Sequence, residues 1–161
     1  MLLPEMLPRP MKIDTRPASS EDVDWLADVF IRSMREAITA ARGSWDFERE
    51  DAQFRAQLQI ADTRVIRVGG NDVGLITVRT LEGKLLELHT LCIQPARQGA
   101  GIGARIMQDV MSHARMAGSA LELSVLKSNT RAEHFYARLG FAKIGVSMHH
   151  LRMRWPVAED G

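Results

Sequence analysis

Cysteine is almost missing from this chain: Cys92 is the one thiol among 161 residues. No internal disulfide can form, and a small packed hydrophobe in a reducing compartment is the expected state, with the cytoplasm as the expected location. Charge of one sign is missing too. Lys and Arg total 21 against 20 Asp and Glu, a net charge of +1, so no basic excess recommends nucleic acid as a partner. No run approaches the roughly 18–20 apolar residues of a membrane span, and no membrane partner is expected. The opening M-L-L-P-E-M-L-P-R-P is apolar, but it lacks a basic start and an uninterrupted apolar core, so residues 1–10 read as a flexible tail rather than a signal peptide. Residues 11–161 suffice for one domain with its own core. The adjacent His149 and His150 would face opposite sides of a last strand and could not readily chelate one metal, so no metal is expected. His149 would share the core-facing side of that strand with Leu151, Met153 and Trp155.

What the chain does have is a distinctive stretch from Leu85 to Met107, L-L-E-L-H-T-L-C-I-Q-P-A-R-Q-G-A-G-I-G-A-R-I-M. Leu85–Ile93 is apolar at nearly every position, which suits a central strand buried on both faces. Pro95 stops it. Gly99, Gly101 and Gly103 then alternate with other residues, and from Ile102 the apolar residues recur at helical spacing. A glycine turn opening a helix exposes successive N–H groups in front of the positive end of the helix dipole, a cradle for phosphate or pyrophosphate. It is not a Walker loop, because Gly103 is followed by Ala104 and Arg105 rather than Lys and Ser or Thr. Nor is it the dinucleotide fingerprint, which needs G-x-G-x-x-G after the first strand of a βαβ unit.

Gln98, Gly101 and Gly103 fill a pattern that resembles motif A of the GNAT acetyltransferases, and N-T-R-A-E-H-F-Y-A-R-L-G-F from Asn129 to Phe141 resembles their motif B. The resemblance implies the GNAT acyltransferase fold. This is an α/β (α+β) architecture with a mixed, mostly antiparallel sheet of about six or seven strands, a central parallel pair, and about four flanking helices. It implies acetyl-CoA as cosubstrate, with the pyrophosphate held by Gln98, Gly99, Ala100, Gly101, Ile102, Gly103 and Ala104. The thioester arm would follow the backbone of Leu91, Cys92 and Ile93, and Asn129 would contact the cofactor as well as cap a helix.

The remaining elements follow in order. Met11–Arg16 alternates as a first strand, and Ala18–Asp22 has the serine caps and early acids of a helix start. The face Val23, Leu26, Ala27, Phe30, Ile31 and Met34 carries that helix to about Ala41. Gly43 ends it, and Ser44–Asp46 opens a second helix with apolar positions at Phe47, Phe54 and Leu58. Strands at Val65–Val68 and Val73–Leu81 flank a hairpin turn at Gly69–Asp72. Beyond the helix from Gly101 to Met116, Leu121–Leu126 should pair parallel to the Leu85 strand through a right-handed crossover. Asn129 opens a last helix, closed at Gly140, before an antiparallel pair at Phe141–Val146 and Met148–Trp155.

Amine acetylation needs a proton acceptor, because an alkyl ammonium with a pKa near 10.4 is only about one part in 2,500 neutral at pH 7. Strict alternation places Glu87 and His89 on one face with Leu85, Leu91 and Ile93, opposite Leu86, Leu88, Thr90 and Cys92. Glu87 stands where the resemblance places the catalytic glutamate. Tyr136 matches the motif B tyrosine that protonates the departing thiolate; from the residues alone, Ala132, Phe135, Tyr136 and Leu139 read first as a core stripe, and it is the resemblance that favours the acid role. The leading expectation is an N-acetyltransferase moving acetyl from acetyl-CoA to a primary amine of a small molecule by direct attack in a ternary complex. A protein lysine or N-terminal acetyltransferase is the first alternative, and a non-catalytic acetyl-CoA sensor is an alternative of another class. A homodimer is left open.

Overall fold

In the computed structural model, which describes residues 11–156, the strands are β1 (Ile13–Pro17), β2 (Thr63–Val68), β3 (Asn71–Thr80), β4 (Leu85–Ile93), β5 (Ala120–Leu126), β6 (Ala142–Val146) and β7 (His150–Trp155). The longer helices are α1 (Val23–Arg42), α2 (Phe47–Gln57), α3 (Ile102–Ala117) and α4 (Thr130–Arg138). The expected tail at residues 1–10 lies outside the described part. One mixed sheet runs in the order β1-β2-β3-β4-β5-β7-β6. All neighbours are antiparallel except β4 and β5, joined through α3 as the crossover requires.

Local chemistry sets the boundaries. Gly69 and Gly70 both take positive φ (59° and 84°), the backbone a tight β2–β3 hairpin needs. Asp46 accepts a hydrogen bond from the Arg49 N–H at 3.1 Å and starts α2. Ser19 and Asp22 form a reciprocal cap, but the turn they open is a short 3₁₀ segment, and α1 begins at Val23. Phe47, expected among the apolar positions of α2, is 55% exposed at its first turn.

The sheet separates two apolar layers. Leu26, Ala27 and Val29 of α1 and Phe54 of α2 pack on Val65, Leu75 and Cys92. On the other face, Ile102, Ile106, Met107 and Ala114 of α3 and Tyr136 of α4 pack on Ile66, Ile76, Leu88 and Ile93. Each helix therefore buries one stripe against one side of the sheet.

Strict alternation along β4 is corrected here. The β3–β4 register jumps from Thr77↔Thr90 to Val78↔Leu88, leaving His89 as the extra residue of a bulge. The bulge shifts the parity of everything beyond it. Leu86, Leu88, Leu91 and Ile93 share the α3/α4 layer, whereas Cys92 belongs to the α1/α2 layer. Glu87 and His89 open on the α1/α2 side, separated from Leu91 and Ile93.

The parallel pair is short. It holds over Leu85–Leu88 against Ala120–Leu123 and then stops, although β4 continues along β3 to Ile93 and β5 continues along β7 to Leu126. The two strands splay at the centre of the sheet.

Candidate active site

The cradle sits at the end of β4. Gly99 and Gly101 have φ of 81° and 80°, a left-handed backbone that a side chain disfavours. Among the described residues, none of the N–H groups from Gly99 to Ala104 meets a backbone carbonyl. The first to do so is Arg105, bonded to the Gly101 carbonyl at 3.1 Å. Free N–H groups at the start of the 16-residue α3 are the anion-binding arrangement expected from the sequence. Gly103 serves a different purpose. A Cβ there would lie in ordinary contact 3.5 Å from the Phe135 ring, leaving no room for a branched side chain between α3 and α4, while a Cβ at Gly101 would meet nothing within 4 Å.

Three polar side chains near the cradle are occupied by the protein itself. Gln98 donates through Nε2 to the Ile93 carbonyl at 2.9 Å and accepts from Arg131 at 3.1 Å, bracing the end of β4 against α4. Ser33 of α1 donates to the same carbonyl at 3.0 Å. Asn129 accepts from the Ala132 N–H at 3.2 Å and caps α4. Beyond Leu88, β3 is the one partner strand of β4 among the described residues. The backbone groups of Leu91–Ile93 that turn away from β3 face the splay.

A cleft of about 960 Å³ opens beside the splay under α1 and α2. Phe30, Met34 and Ile38 supply its apolar roof, and charged residues its floor. A row crosses the sheet at one level: Arg79 of β3 registers with Glu87 of β4, Glu87 with Glu122 of β5, and Glu122 with Arg154 of β7. Glu122 is neutralised by Arg152 and Arg154, each at 3.0 Å. At the cleft wall the buried Glu50 lies 3.0 Å from Arg42, at ion-pair distance but off the line of a hydrogen bond. Glu87 is more loosely held, 4.0 Å from Arg79 and 3.3 Å from His89 Nδ1. Burial, and then the Arg79 charge, hold the His89 imidazole below its ordinary value, with Glu87 opposing both. The neutral form of His89 is therefore favoured.

Tyr136 lies in the α3/α4 layer, 7% exposed, with its ring edge-on to Phe135 and Phe141 at centroid distances of 5.0 and 5.6 Å. Burial raises its phenol well above the usual range, so it carries its proton throughout the neutral range. Cys92 is also buried, and its thiol is pushed up to about 12 by that burial.

His149 corrects an expectation. It precedes β7, is exposed, and lines the cleft with His150 instead of entering the core. No cluster of three or more His, Cys, Asp or Glu that could hold a metal occurs among the described residues. Sequence reasoning missed Arg79, Glu122 and Arg152. The available signal was a charge within each strand segment, with nothing to show that the charges fall in one row. No helix among the described residues is long and apolar enough to cross a membrane.

The anion cradle, splayed parallel pair and adjoining cleft define an acyl-coenzyme A-dependent transferase architecture. The acetyltransferase (GNAT) domain family matches residues 39–154, and the chain belongs to that family. The N-alpha-acetyltransferase RimI of Mycobacterium tuberculosis is 33% identical over 91 residues, covering 54% of this chain and 56% of that protein. The chain thus spans about half the length of that curated relative. An uncharacterized N-acetyltransferase of Archaeoglobus fulgidus is 27% identical over 78% of this chain and 90% of its own length. Among solved structures, the PaiA N-acetyltransferase of Thermoplasma acidophilum, in complex with coenzyme A, superposes with a TM-score of 0.74. Its identity is 19%, covering 89% of this chain and 98% of that one. The ribosomal-protein-S18-alanine N-acetyltransferase of Escherichia coli gives a TM-score of 0.67 at 15% identity, covering 93% and 97%. These likenesses support the fold.

Proposed function

We propose that this protein is a cytoplasmic N-acetyltransferase that moves acetyl from acetyl-CoA to a primary amine of a small molecule by direct attack in a ternary complex. The observation that carries this reading is the arrangement along β4, with the glycine cradle beyond its end, the β4–β5 splay after Leu88, and the charged cleft over Glu87 and His89. An anion held at Gly99–Ala104 and a thioester arm laid along Leu91–Ile93 lead toward the cleft floor at Glu87 and His89. The cradle residues fit the pyrophosphate of coenzyme A, which when bound supplies the activated acetyl group.

This chain's residues then divide the work. The ammonium is drawn to the Glu87–His89 corner and gives up its proton there. A β4 N–H facing the splay stabilises the oxyanion. Tyr136 remains a phenol and can return a proton to the leaving sulfur; ordinary phenol and thiol values differ by about 1.5 units, and the burial that raises Tyr136 widens that gap. Cys92, the one thiol of the chain, is buried and protonated, which disfavours a covalent acetyl-enzyme.

A second reading, acetylation of a protein N-terminus, is favoured by the likeness to RimI and by a cleft of about 960 Å³, roomy enough for a terminal dipeptide. Thiol release from acetyl-CoA, measured over a panel of small amines and of peptides with free N-termini, separates the two. Faster turnover of small amines is expected. Turnover confined to peptides would transfer the assignment to the second reading, and none with any acceptor would remove both.

A further inference from the structure

The β4 bulge places His89 beside Glu87 in the cleft, and the pair has a chemical direction. Glu87 Oε1 lies 3.3 Å from Nδ1 of His89. An Nδ1 hydrogen facing that carboxylate leaves Nε2 with the free lone pair. An unperturbed imidazole binds a proton about two units more tightly than an unperturbed carboxylate, so of the two side-chain types imidazole is the better acceptor. Resting on the acetyl-transfer reading above, we propose that His89 is a catalytic residue whose Nε2 takes the proton of the attacking amine, while Glu87 holds the ring and balances the imidazolium.

The step balances. The amine nitrogen forms a bond to the thioester carbon and passes its proton to Nε2. The C–S bond then breaks, the sulfur keeps the electron pair and takes the proton of the Tyr136 phenol, and the proton that the imidazolium releases to water through the open cleft is balanced by one that water returns to Tyr136.

The neighbouring charges favour a neutral ring awaiting a proton. On β5, Glu122 is neutralised by Arg152 and Arg154 of β7. On α2, Glu50 is matched by Arg42 of α1. Arg49, His149 and His150 stand exposed around the cleft. The charges left to act on His89 are Arg79 on β3, which disfavours protonation, and Glu87, which favours it. The ring is neutral above its own depressed value and ready to accept.

The test is the pH profile of kcat/KM with the best acceptor from the panel, for the parent and three variants, alongside the His89 titration by NMR. The parent should lose activity on an acid limb below 6.5, the ordinary value of the ring. His89→Gln should fall about 100-fold at neutral pH and lose that limb, its rate following the free amine concentration. Glu87→Gln removes the charge that favours protonation and should move the limb to lower pH. Arg79→Gln removes the opposing charge and should move it higher, a displacement that a purely structural role would not produce. A His89→Gln variant with parental rate and limb overturns the proposal and leaves the acetyl-transfer reading standing; a parent that releases no thiol with any acceptor overturns both.

Discussion

Tyr136 tests how one side chain serves packing and chemistry together. Its ring is buried against Phe135 and Phe141, and its hydroxyl is the group the proposed reaction uses to protonate the thiolate. Tyr136→Phe keeps the ring and should slow turnover by about 10- to 100-fold, toward or below the low end of general-acid effects, with a nearly unchanged melting temperature. Tyr136→Ala should cost about 3–5 kcal/mol of stability, in the manner of other buried aromatics. A parental rate for Tyr136→Phe would return the residue to the core alone. Alkaline pH gives an independent readout, because burial raises Tyr136 and Cys92 above their ordinary values of 10.0 and 9.0. In each case the folded value lies above the unfolded one. The stability tied to keeping them protonated is therefore full below about pH 9 and is lost as pH rises, for Cys92 toward its folded value of about 12. Melting followed from pH 8 to 11 should show Tyr136→Phe losing less stability above pH 10 than the parent; parallel curves would contradict this. Tyr136 was legible in the sequence because one motif pointed to it, whereas its burial came equally from helical spacing, which could not separate the two roles.

At the scale of elements, the cradle and the bulge contrast in legibility. Alternating glycines before a helical apolar pattern announced the cradle, since left-handed turns have few other residues available. The bulge left no trace, because one extra residue in an apolar run resembles the residues beside it. Only the partner strand reveals it. It changed the meaning of four positions, moving Leu91 and Ile93 away from Glu87 and bringing Thr90 and Cys92 to Glu87's side. The two glycines of the cradle should also behave differently on substitution. Gly101→Val forces a side chain onto a φ of 80° and should weaken acetyl-CoA binding at least several-fold while the protein stays folded. Gly103→Val pushes its side chain against Phe135 and should mainly lower the melting temperature by separating α3 from α4. Titration calorimetry beside thermal melting separates these outcomes, and unchanged affinity in a folded Gly101→Val would remove the cradle from the coenzyme site.

For the whole molecule, the sheet is the device that brings distant segments together. Its two apolar layers anchor α1 and α2 on one face and α3 and α4 on the other, so the proposed coenzyme cradle and the proposed acceptor cleft both lie along β4, on either side of the point where it leaves β5. The antiparallel strands leading into β4, the parallel pair and the helix count were readable from periodicity, turn glycines and the GNAT resemblance, whereas the place of β7 between β5 and β6 was not. The charged row from Arg79 to Arg154 was not, because it depends on register between strands up to 75 positions apart in the sequence. Direct attack requires acetyl-CoA and amine to occupy this joined site together. The central measurement is the initial rate of thiol release with both substrates varied. Double-reciprocal lines that intersect are the predicted result for a ternary complex. Parallel lines, with acetyl retained on the protein in the absence of amine, would contradict it.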